Sequence, residues 1–166
     1  MKRIKLWLCT QSMLFSYWSL PPRLKQLHFT QKRAVKLTTR WAKHCRMQGI
    51  FVCAERTPMI RIDSERRKLD KKFFGVTKVY PVALIILGFS SILHCMEKAE
   101  DIPVFKNTTA DEVVWQTLIH EMAHAASVKV PRTKEDHSIS FYIRLIRSYL
   151  FVWYHCYFGV LKYGQK

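Results

Sequence analysis

The stretch from Thr109 to Ser127 constrains this chain more than any other. Thr109-Ala110-Asp111-Glu112 has the spacing of a capping box, in which Thr109 and Glu112 satisfy each other's exposed amides, so a helix starts there. The pattern carries it to about Ser127, stopped before Pro131, with Val114, Trp115, Leu118, Ile119, Met122 and Ala126 on or near its buried face. A helix with such a face needs other elements to cover it.

The sequence supplies them in order. After the Pro21-Pro22 break, apolar or small residues recur at Leu24, Leu27, Ala34, Val35, Thr38, Trp41, Ala42 and Cys45, close to a helical period over about six turns. Arg23, Lys25, Lys32, Arg33, Lys36, Arg40 and Lys43 occupy the other face. Gly49 ends this amphipathic basic helix. Ile50–Cys53 and Met59–Ile62 then read as short strands around a turn at Thr57-Pro58. A charged run from Asp63 to Lys72 reads as a loop, and Phe73–Val76 leads into a buried strand, Val82–Leu87, followed by a turn. The expected fold class is α+β: an N-terminal amphipathic helix, a small mixed or antiparallel sheet, the Thr109–Ser127 helix and a C-terminal helix.

Composition agrees with one domain. The chain has 166 residues, 49% of them hydrophobic and 13% aromatic, which excludes a large multidomain enzyme and extensive disorder. The expected division is a basic and apolar extension at 1–21, the domain at 22–150 and an aromatic-rich tail at 151–166. The five cysteines are odd in number, scattered and never arranged as CxxC, which argues against a disulfide framework or zinc ribbon and for a reducing compartment.

Charge is uneven. The net +16 comes almost wholly from residues 1–80, which hold 19 basic and 4 acidic residues against 9 and 8 in the remainder. Such a surface attracts phosphate or anionic lipid at long range.

No apolar stretch reads as a membrane span. Met1–Leu20 begins with Lys2, Arg3 and Lys5 but is interrupted by Gln11, Ser12 and Ser16 and lacks a signal-cleavage pattern; it is compatible with an organellar transit segment. Val79–Cys95 and Ser148–Leu161 fall short of the roughly 20 apolar residues a span needs.

The chemistry lies inside the capped helix. His120-Glu121-Met122-Ala123-His124 is an HExxH motif: one turn separates the two His, so both imidazoles project from one face and can hold one zinc ion, with Glu121 toward the metal's open side. Zinc acidifies bound water and polarises a carbonyl, and Glu121 is the base that takes the water's proton and passes it to the leaving amine.

A catalytic zinc needs a third protein ligand. The pattern HExxHxxGxxH fails, because Ser127 and Val130 stand where Gly and His are required, and no Glu follows Glu135 to serve from a later helix. His137 is the leading candidate, ahead of Asp136 and His155, with the loop Val128–Asp136 folding back over the metal.

Thr117–Ala125, followed by His137-Ser138-Ile139-Ser140-Phe141, resembles the SprT/Spartan-like zinc metalloprotease domain, with its hydrophobic HExxHA helix and later HGxxF segment. Ser138 stands where that family has Gly. The resemblance implies a zincin-like fold, zinc on His120, His124 and His137, and Glu121 as catalytic base. It also implies that Leu84, Ile85, Ile86 and Leu87 form the edge strand on which an extended protein or peptide substrate pairs. Substrates in that family are often proteins on DNA, and the basic helix with Arg33, Lys36, Arg40 and Lys43 would supply the phosphate contacts. Two other readings stay open. One is a non-catalytic basic nucleic-acid-binding module retaining the HExxH helix as structure; the other is a metalloprotease held at a membrane by Met1–Leu20 or Ser148–Leu161.

Overall fold

A computed structural model of the chain describes residues 20–47, 59–62, 74–78, 84–98, 108–126 and 137–157. Their elements are α1 (Pro22–Lys25), α2 (Gln31–Met47), β1 (Met59–Ile62), β2 (Gly75–Lys78), β3 (Leu84–Leu87), α3 (Phe89–Lys98), α4 (Ala110–Ala125) and α5 (Ile139–Tyr157). The architecture is α+β, as the order of patterns requires, and the sheet is mixed.

Helix α4 is the centre. Both halves of its capping box form: the Glu112 amide donates to Thr109 Oγ1 at 3.3 Å and the Thr109 amide donates to Glu112 Oε2 at 3.1 Å. It stops at Ala125, with Ala126 as C-cap, two residues short of the expected end. The sequence reading assigns it one buried face; in the fold it is enclosed on nearly every side, by α5, α1, α3 and the sheet. Trp115, Leu118, Ile119 and Met122 are fully buried. Thr117 is accommodated by donating its hydroxyl to the Val113 carbonyl one turn back, at 2.8 Å.

The sheet lies against α4 with strand order β1-β3-β2. β3 runs parallel to β1, pairing Ile60 with Ile85, and antiparallel to β2, pairing Val76 with Ile86. Alternation sends Ile85 and Leu87 into the core. This overturns the expectation that Leu84–Leu87 is an edge. β1 and β2 occupy both of its hydrogen-bonding edges, so it cannot accept a substrate strand.

Three further expectations need correction. The six-turn helix from Leu24 to Cys45 is two helices, because α4 captures the chain between them. Asp111 takes the Phe29 amide at 3.1 Å and His28 Nδ1 at 2.8 Å, while Trp115 Nε1 donates to the Leu27 carbonyl at 2.9 Å. Phe29 meets the Trp115 ring edge-on at 4.7 Å between centroids. The restart at Gln31 turns Leu37 inward and leaves Val35 exposed.

Residues after β3 form helix α3 rather than only a turn. The Gly88 amide closes the strand by donating to the Phe74 carbonyl, and the Gly88 carbonyl opens the helix by accepting from the Ile92 amide. Finally, the core reaches past both expected boundaries: Leu20 is buried, and α5 runs to Tyr157 with Phe151, Val152 and Cys156 in the core. The expected strand Ile50–Cys53, the charged run and the loop Val128–Asp136 lie outside the described residues. Cys45, Cys95 and Cys156 are free thiols.

Candidate metal centre

The two motif His leave α4 on the side facing α5, and His137 arrives from the residues just before that helix begins. Their imidazoles converge. His120 Nε2 lies 3.2 Å from His124 Nε2 and 3.2 Å from His137 Nε2, and one ligand atom from each His falls within a 4.8 Å group. Zinc–imidazole bonds of about 2.0–2.1 Å place two ligands on a tetrahedron about 3.3 Å apart, so the spacing fits one metal ion shared by three nitrogens. Among the described residues this is the one such group of His, Cys, Asp and Glu.

Electrostatics favour the ligating form. Burial, followed by the neighbouring His137, pushes the His120 imidazole from 6.5 down to about 4. At neutral pH it is therefore uncharged with a lone pair to give.

Phe141 forms the floor. Its fully buried ring lies 4.9 Å from the His120 ring, 4.3 Å from His124 and 4.8 Å from His137, centroid to centroid. A large apolar plate under three imidazoles restricts their rotation and lowers the local dielectric, both of which strengthen metal binding. Phe141, four residues past His137, comes back beside it from the first turn of α5. Ser138 precedes that helix: its carbonyl accepts from the Tyr142 amide at 3.2 Å and its hydroxyl lies 2.9 Å from that of Ser140. Arg144 fastens α5 to α4, its Nε donating to the Ala123 carbonyl at 3.3 Å.

Glu121 is one residue past His120, about 100° further round the helix, which turns it toward β2. Its side chain is buried. Thr77 Oγ1 lies 2.6 Å from Glu121 Oε2, and Gly75 provides room: a Cβ there would stand 2.8 Å from Glu121 Cγ and 2.7 Å from Thr117 Cγ2. Sequence reasoning missed Thr77, Gly75 and the plate role of Phe141. No local pattern marks the first two, whereas the Phe was visible in the HGxxF-like segment.

Other candidates stand elsewhere. The His155 ring lies tilted against Phe151, 4.0 Å between centroids, near Arg40 and His44, and Asp136 lies outside the described residues. Lys36 and Lys43 are exposed on the outer face of α2, Arg40 is half-buried, and Arg33 donates to the His28 carbonyl at 2.7 Å. These four line a helix surface and form no enclosed site. No protein family, curated protein or solved structure matches the chain.

Proposed function

We propose that this chain is a zinc-dependent metallopeptidase acting on a protein or peptide bound in extended form. The observation that carries the reading is the convergence of His120, His124 and His137, with His120 Nε2 3.2 Å from each of the other two, on the helix that also carries Glu121 next in sequence to His120. His120, His124 and His137 would hold the zinc, which would supply Lewis-acid chemistry, acidifying a water molecule and polarising the scissile carbonyl.

Glu121 is the proton carrier. A carboxylate takes the proton of the attacking water and returns it to the departing amine, which requires that it be aimed and that one oxygen stay available. Thr77 meets the aiming requirement by holding Oε2. Phe141 keeps the imidazoles in register. The substrate strand belongs on β2, which among the described residues pairs on one side only and runs beside Glu121. Its backbone donors and acceptors suit addition of one more strand.

The deciding experiment is Glu121→Gln assayed with zinc analysis. Zinc content and fold should be retained while cleavage of an unfolded protein substrate falls by about 10²–10⁴-fold. Equal cleavage by both proteins would refute the assignment of Glu121, and a zinc-loaded wild type that cleaves nothing would favour the non-catalytic module.

A further inference from the structure

Helix α5 buries one side and exposes the other, and the exposed side is not polar. At 100° per residue, Tyr142, Ile146, Ile139, Leu150, Ile143 and Tyr154 fall within an arc of about 120°, opposite the buried Phe141, Leu145 and Val152. Ile139 is 82% exposed, Leu150 63% and Tyr154 58%. No charged residue interrupts this band along the 19 residues of the helix. A continuous apolar strip of this kind is more than scattered surface residues and marks a place where something binds.

One edge of the band, on the side of Arg147, is cationic. Beside its C-terminal half a cleft of about 490 Å³ is lined by Trp41, His44, Arg144 and Arg147, and by Leu150 and Tyr154 of the band itself. No Asp or Glu lines the cleft, and none occurs anywhere in α2 or α5. Behind it, Arg40 Nη1 and His155 Nδ1 are buried without a hydrogen-bond partner among the described residues. Burial, followed by the adjacent Arg40 and His44, pushes the His155 imidazole below its ordinary value of 6.5.

We propose that α5 is a membrane-surface docking helix: its exposed band, Ile139 to Tyr154, enters the interface of an anionic bilayer while the Arg147–His44 cleft takes a lipid phosphate.

Three observations favour lipid over other occupants. A second copy would bring two acid-free, basic helices together, whereas an anionic leaflet complements them and the net charge of +16. Tyr142 and Tyr154 stand at the two sides of the band, where amphipathic rings suit headgroup depth. Nucleic acid would use the cations but leave the apolar band uncovered. Attachment is to one surface, because no helix among the described residues is long and apolar enough to cross a membrane.

The test is co-sedimentation of the full chain with vesicles of phosphatidylcholine alone or with 30% phosphatidylserine, at low and physiological salt. Binding should be at least about tenfold stronger to the serine-containing vesicles and weaken with salt. Leu150→Glu and Arg147→Gln should each lower it by about tenfold or more, with zinc content and circular dichroism unchanged. If Leu150→Glu fails to fold, Ile139→Glu at the most exposed position replaces it. Undiminished binding by these variants would place the lipid contact elsewhere in the chain and overturn the proposal. So would a wild type that ignores vesicles and forms a dimer dispersed by Leu150→Glu, or one that ignores vesicles and loses oligonucleotide binding with Arg147→Gln.

Discussion

The Thr77 hydroxyl lies 2.6 Å from Glu121 Oε2 and 3.1 Å from the backbone oxygen of the same residue. A hydroxyl has one proton to give, and the shorter contact has the length of a charge-assisted O–H···O⁻ bond. One strand residue thus fixes the carboxylate of the proposed base. Thr77→Val keeps the shape and removes the donor. It should retain zinc, lower turnover by about tenfold or more through a looser carboxylate, and cost about 1–3 kcal/mol of stability. Thr77→Ser should restore activity in a steady-state peptidase assay; equal activity in the Val variant would leave Thr77 a packing residue only.

Gly75 makes the same neighbourhood possible by having no side chain. A Cβ would sit 2.7 Å from Thr117 Cγ2 and 2.9 Å from Glu121 Oε1, so Gly75→Ala forces β2 off α4 or turns the carboxylate aside. The expected cost is about 1–3 kcal/mol, read in a denaturant melt, together with reduced cleavage at unchanged zinc content.

Metal content separates a true centre from three neighbouring His. Mass spectrometry of protein dialysed against a weak chelator should find one zinc per chain in the wild type. His137→Ala should weaken retention by more than about 100-fold, since losing a ligand exceeds the 10–100-fold typical of a supporting partner. Well-folded wild type without zinc would remove the enzyme reading.

The buried thiols predict a pH profile. Burial, partly opposed by Arg46, raises Cys45 from 9.0 to about 11, and burial against Arg23 does the same for Cys156. The folded state therefore holds these protons where the unfolded state releases them. Stability from this source is present in full below about pH 9 and declines as pH rises toward 11. Urea midpoints across that range should fall, and native alkylation should spare both thiols relative to the less buried Cys95. Rapid native labelling of Cys45 would contradict its burial.

Local rules carried some features of this protein from the sequence alone. The capping box, the start of α4, the shared face of His120 and His124 and the basic outer row of α2 all depend on residues three or four positions apart, where helical geometry alone decides neighbours. His137 emerged as the candidate third ligand because few others were left, and the resemblance pointed to it as well.

Only tertiary structure decided the rest. The break between α1 and α2 follows from Asp111 and Trp115 capturing a backbone more than 80 residues away. β3 is central because β1 and β2 close over it from both sides, which an apolar run by itself does not reveal. Thr77 reaches Glu121 across 44 residues of chain. Periodicity determines which residues share a face, but which face meets which is settled when the faces compete for burial against one another, and that competition has no local signature.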